Sequence, residues 1–169
     1  MKKQFQMLFG IILAIILIGC SGGSRRTASN EKISQYFTMQ EAINSDYANK
    51  HHIDNYPKNS LHKKNIIETA KRMDKVRNLL GRPIRVSSWY RSPKVNNAIG
   101  GSDSSAHQDG LAVDFYLKKG QVKKEFNKIK NSSLSYDQLI FYPRGNRAHI
   151  GFRKGGKNER RQVMQSRKR

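Results

Sequence analysis

The sequence predicts one α+β domain in which a small antiparallel sheet is covered on one face by helices, and three observations carry that prediction. Residues 63–80 place Ile66, Ile67, Ala70, Met73, Val76 and Leu80 near helical period with Lys and Arg between them, as in an amphipathic helix. Residues 111–116 alternate apolar and polar side chains as a half-buried strand does. Residues 139–142 and 148–152 are two more strand-like runs, joined by Pro143-Arg-Gly-Asn146, which reads as a hairpin.

The remaining elements follow in chain order. Lys2 and Lys3 precede an apolar run over residues 7–19, shorter than the roughly 20 residues a bilayer core requires. A basic start, an apolar run and small residues after it make a secretory signal over residues 1–19. Leu17-Ile18-Gly19-Cys20 resembles the bacterial lipobox, whose cysteine is lipidated and becomes the first mature residue; the alternative is an uncleaved signal anchor with an incidental thiol. A chain lipidated at Cys20 would be exported and held at the cell-envelope membrane by its acyl chains. Cys20 is the single cysteine, which excludes an intrachain disulfide and any multi-thiolate metal site.

Residues 20–33 are polar and rich in Gly and Ser, a flexible tether, and the globular part spans 34–152. Thr38-Met-Gln-Glu41 has capping-box spacing and opens a short helix to about residue 48. The long helix ends at Gly81 and Pro83, and residues 84–86 read as a strand entering a loop over 87–105. Residues 153–169 hold eight basic side chains, one acid and little that is apolar, so they read as a disordered basic tail. Such a tail is either simply solvated or an electrostatic tether.

The 33 Lys and Arg against 12 Asp and Glu give a net charge of +21 over 169 residues, with +4 in residues 1–32, +10 in 33–152 and +7 in 153–169. An anionic partner follows, and nucleic acid, anionic lipid and an acidic wall polymer all satisfy it. No nucleic-acid recognition motif is present, and the export signal argues against that partner.

Chemistry concentrates in residues 87–152. Gln108-Asp109-Gly110 is a turn signal, and in the strand that follows Leu111, Val113 and Phe115 should face the core, leaving Asp114 on the other face toward His107. Ala148, Ile150 and Phe152 likewise alternate with His149 and Gly151, and Gly151 leaves room beside the imidazole. Two histidines and an aspartate on polar faces can form a facial set with a position open for water. That is the ligand count of a catalytic zinc centre, and the same set can hold ferrous iron. Buried structural histidines are the plainer alternative.

Ser88-Trp-Tyr-Arg91-Ser-Pro93, Asn96, Gly100-Gly101, Ser105-Ala-His107-Gln-Asp-Gly110-Leu-Ala112-Val-Asp114, Tyr136-Asp-Gln-Leu-Ile140 and His149-Ile resemble the zinc D-Ala-D-Ala carboxypeptidase family of metallopeptidases, above all its compact branch found in phage and bacterial wall-processing proteins. The resemblance runs from about Phe37 to Phe152. It implies a Hedgehog/DD-peptidase-like fold whose sheet carries the zinc site. It also implies zinc held by His107, Asp114 and His149, and hydrolysis of amide bonds in peptidoglycan stem peptides. Arg91 matches the family arginine that engages substrate, and a guanidinium suits that work because its planar fork donates two parallel hydrogen bonds. Ser105 matches the serine that orients substrate or supports the metal loop, and Asp137 with Gln138 matches a pair that steadies a ligand imidazole.

The chain departs from the family pattern where a general base is expected. Many members carry a carboxylate three residues before the last histidine, where this chain has Asn146; others carry Glu where this chain has Tyr142. Asp137 and Asp109 are the nearest carboxylates that can take that role. The alternative is a catalytically weak, zinc-containing lipoprotein that binds the cell wall. His51, His52 and His62 lie outside the matched motifs and read as surface or capping residues.

Overall fold

Thr38 starts the first helix as its spacing requires. Its hydroxyl accepts the Glu41 N–H at 3.3 Å while the Glu41 carboxylate accepts the Thr38 N–H at 2.9 Å, so α1 (Met39–Ile43) opens on a complete capping box. The helix stops short of residue 48 because Asn44 is extended and Ser45 caps a second helix, α2 (Asp46–Lys50). The computed structural model describes residues 30–166, so the apolar leader, the Cys20 motif and most of the expected tether lie outside the described residues. Among the described residues no helix is long and apolar enough to cross a membrane.

The long helix, α3 (Ser60–Leu80), begins three residues before the periodic segment because the Asn59 side chain accepts the Leu61 N–H at 2.8 Å. It closes at Gly81 in the left-handed conformation, φ 69°. Ile66, Ala70, Met73 and Val76 are buried along one stripe, whereas Ile67, about 100° further round the helix, is exposed. Two short helices complete the set, α4 (Pro93–Ala98) in the loop after the first strand and α5 (Val122–Lys130).

Five strands form one sheet: β1 (Val86–Ser88), β2 (Ala112–Tyr116), β3 (Gln138–Tyr142), β4 (Arg147–Gly151) and β5 (Gln162–Gln165), in the spatial order β1-β2-β4-β3-β5. The first four pair antiparallel, but β5 joins β3 in parallel, so the expected antiparallel sheet is a mixed one. Val113, Phe115, Leu139, Phe141, Ala148 and Ile150 point from one face into a core shared with Ile66 and Met73 of α3 and Phe126 and Ile129 of α5. Burying each such side chain contributes about 1.5–3 kcal/mol. Leu111 departs from the expected alternation: it precedes β2 and is half-buried at the edge of the cleft on the opposite face.

The expectation of a disordered tail from Arg153 is corrected for residues 153–166. Gln162 donates its N–H to the Asp137 carbonyl at 2.9 Å, and Ser166 donates to the Phe141 carbonyl at 2.8 Å. Glu159 accepts from Arg72 of α3 at 2.6 Å and from the Ser135 hydroxyl. The Arg161 guanidinium donates to the Lys130 and Ser132 carbonyls at 3.1 and 3.0 Å. Hydropathy registers only the apolar area such a segment can bury; here sheet hydrogen bonds and charge-assisted contacts hold it instead.

Candidate metal centre

Strand register builds the site. In the β2–β4 ladder Asp114 stands directly opposite His149, and in the β3–β4 ladder Ile140 stands on the other side of the same histidine. Directly opposed residues share a face, so the core-facing Val113, Phe115, Ala148 and Ile150 oblige Asp114 and His149 to project together from the other face. His107 arrives from the turn ahead of β2. Its Nε2 lies 3.4 Å from Asp114 Oδ2 and 3.3 Å from His149 Nδ1, and His149 Nδ1 lies 2.8 Å from Asp114 Oδ1.

The turn that delivers His107 is fixed by Gly110 and Trp89. Gly110 has φ 76°, and a Cβ there would meet Ile66 Cγ1 at 2.5 Å, so only glycine lets the turn lie against α3. Fully buried Trp89 donates its indole N–H to the Gly110 carbonyl at 3.1 Å and packs edge-on against Phe37. On β4, a Cβ at Gly151 would sit 3.3 Å from His149 Nε2, which is the room the sequence anticipates.

The Ser88–Pro93 motif resolves into separate tasks. Ser88 Oγ accepts from Arg91 Nε at 2.9 Å, and Arg91 Nη2 donates to Asp114 Oδ2 at 2.8 Å, so the guanidinium is aimed at the centre from both ends. Ser92 caps α4 with Pro93 at its first position. Buried Asn55 holds the segment from behind, donating to the Tyr90 carbonyl and accepting the Ser92 N–H. Asn96, fully buried, donates to the Ser102 carbonyl at 2.9 Å and so anchors the loop that leads to Ser105.

Burial lowers the pKa of His107, against the pull of Asp114, which keeps the imidazole neutral. Burial alone would raise that of Asp114, but the two imidazoles outweigh it and hold the carboxyl well below the usual carboxylate range. A neutral imidazole and an ionised carboxylate are the forms that bind a metal. Nitrogen and oxygen donor atoms of His107, Asp114 and His149 all lie within 4.8 Å of one another. That donor set, two imidazoles and a carboxylate, fits zinc.

A cleft of about 690 Å³ opens over the three residues and is lined by Arg91, Ser105, Asp109, Asp137, Tyr142 and Arg160, among others. The structure thus brings every site residue predicted in residues 87–152 to one place. Asp137 takes a different part from the one expected: its carboxylate bonds to Arg160 Nη2 at 2.6 Å and Arg153 Nε at 2.7 Å rather than to an imidazole. Arg160, foremost, holds its pKa below the usual carboxylate range, which makes it a weak proton acceptor. Asn146 occupies the hairpin turn with φ 48°, a left-handed conformation asparagine tolerates, and does not line the cleft. His62, read as a surface residue, is half-buried with Nε2 3.5 Å from Asp109 Oδ1. Sequence reading missed Arg153, Lys154 and Arg160 in the cleft wall. The one acid among those bases, Glu159, and the short apolar pair Val163-Met164 were the signals of an ordered segment.

A helix-backed sheet that presents two imidazoles, a carboxylate and an arginine in one polar cleft defines a metal-centred hydrolase. The family model for peptidase M15 matches residues 35–151, most of the chain, and the chain belongs to that family. No curated protein matches it. Peptidases of this family are zinc-dependent, and His107, Asp114 and His149 form the group that can hold the ion.

Proposed function

We propose that the protein hydrolyses amide bonds in peptidoglycan stem peptides, as a D-Ala-D-Ala carboxypeptidase or an endopeptidase, while anchored through a lipidated Cys20 at the bacterial cell envelope. The observation that carries the peptidase reading is the convergence of His107, Asp114 and His149 with Arg91 in one cleft. Zinc, when bound, lowers the pKa of a water to about 7 and polarises a carbonyl.

The chain's own residues supply the rest. Arg91, held by Ser88, presents its guanidinium to a substrate carbonyl or carboxylate beside Asp114. Three carboxylates line the cleft: Asp109, Asp114 and Asp137. Asp114 belongs to the metal group and Asp137 is tied to two arginines, which leaves Asp109 to take a proton from the attacking water and return it to the leaving amine. Tyr142 reaches the cleft from β3 at the position where relatives carry a glutamate, and a phenol there donates a hydrogen bond to the substrate oxygen as charge develops on it.

The net charge of +21 favours the same setting, since phospholipid headgroups and the carboxylates and phosphates of a cell wall are anionic. Digestion of defined muropeptides with and without zinc, with products weighed by mass spectrometry, tests the proposal. Zinc-dependent loss of alanine or cleavage of the stem is expected. Zinc and wall binding with no product would instead establish the catalytically weak wall-binding lipoprotein.

A further inference from the structure

One part of the lining of the cleft that holds His107, Asp114 and His149 is cationic, and the chain beyond the matched family region supplies the charge. The peptidase M15 match ends at residue 151. Arg153, Lys154 and Arg160 follow it, and all three line the cleft that contains His107, Asp114 and His149. Their position is held from outside: β5 pairs with β3, and Glu159 is bonded to Arg72 and Ser135. Arg160 is therefore flanked by an anchored residue on one side and a strand on the other.

Counting the cleft lining, the cations are Arg91, Arg153, Lys154 and Arg160, and the anions Asp109, Asp114 and Asp137. Asp114 is occupied by Arg91 and the two imidazoles, and a divalent ion there would add further positive charge. Asp137 is the one carboxylate set against the three C-terminal cations. It is ion-paired with both Arg153 and Arg160, yet the side chains of these arginines remain 42% and 51% exposed. The wall therefore keeps unspent donors and a surplus of positive charge facing the substrate volume.

We propose that Arg153, Lys154 and Arg160 form a subsite for a carboxylate of the bound peptide, with Asp137 as the internal anion that positions the two guanidiniums and tempers their charge. The subsite selects acidic peptides over their amidated counterparts. It rests on the peptidase reading for the substrate being a peptide, but it is tested by binding rather than turnover, so the two can fail separately.

The test uses two synthetic stem peptides that differ at one residue, a free carboxylate in one and a carboxamide in the other, titrated into the metal-free full-length protein by calorimetry. The wild-type protein is expected to favour the acidic peptide by about tenfold, as a charge-assisted hydrogen bond allows, with the preference shrinking as salt is raised. Lys154→Gln and Arg160→Gln are expected to reduce the preference, while Asp137→Asn, which frees both arginines, is expected to increase it. Binding of the amidated peptide serves as the control for folding in each variant. Lys154→Gln keeps the test open should Arg160→Gln unfold, because Lys154 is exposed. Equal affinity of the wild type for both peptides, or a preference that moves the same way in Asp137→Asn as in Arg160→Gln, overturns the subsite. Absence of muropeptide hydrolysis would overturn the peptidase reading and leave this result standing.

Discussion

His107 Nδ1 lies 2.6 Å from the carbonyl oxygen of Trp89. A carbonyl only accepts, so Nδ1 carries the proton and Nε2 is left with the lone pair that faces Asp114 and His149. The tautomer of a residue that can ligate a metal is thus set by a core residue whose indole N–H also holds the Gly110 end of the same turn. Trp89→Phe removes the Gly110 bond and leaves a void at a fully buried position. Zinc affinity should fall by about tenfold, measured by competition with a chelator. Unchanged affinity would mean that the turn is held without the indole.

Gly110 makes a second, stronger demand on that turn. Alanine there combines a left-handed backbone with a Cβ 2.5 Å from Ile66 Cγ1. Backbone strain and overpacking together should cost about 2–4 kcal/mol, read as a lower denaturant midpoint. Ile66 lies on α3, and Ile66→Ala removes the γ carbon that the new Cβ would strike, so the double variant should lose less than the two single variants add up to, and simple additivity would rule out the contact as the cause.

The C-terminal segment should come loose in acid before the core does. Arginine partners, with burial opposing them, hold the pKa values of both Asp137 and Glu159 below their ordinary values. Depressed carboxyl pKa values mean stability that is fully present above the unfolded values, about 4, and that drains away as pH falls through the lower folded ones. Amide hydrogen exchange of residues 162–165 should therefore accelerate below pH 4 while that of β2 and β4 stays slow. Glu159→Gln should accelerate the same exchange at neutral pH.

How much of this was legible in the sequence depended on the range of the interactions involved. Asp114 and His149 could be placed from period-two alternation alone, because buried neighbours on each strand fix which way they face. Their direct opposition is a matter of register between strands and became readable only through the ordered motif around them. The ordering of residues 153–166 was hidden because its contacts are distant in sequence and polar. Arg72 and Glu159 are 87 residues apart, and nothing local in a run of lysines and arginines marks which of them will find a carboxylate. For the same reason Asp137 could be recognised as part of the site but not as the partner of Arg160.

Tyr142 decides how the missing glutamate is answered. Tyr142 lines the cleft, and burial, reinforced by the nearby Asp114 charge, raises its pKa above the ordinary value, so it stays protonated throughout the neutral range. A protonated phenol is a donor and not a base. Tyr142→Phe should then lower kcat for muropeptide hydrolysis by about 100-fold, the scale of losing one donor to a developing oxyanion, with KM and zinc content little changed. The pH–rate profile between pH 6 and 9 should keep its shape, because no group that titrates in that range has been removed. Asp109→Asn should behave differently from a structural change, lowering kcat by a comparable or larger factor with zinc content unchanged. If Tyr142→Phe instead changes the shape of the profile, the phenol takes part in proton transfer and Asp109 loses its assigned role. If neither variant changes kcat, the proton is carried by a group outside the cleft lining.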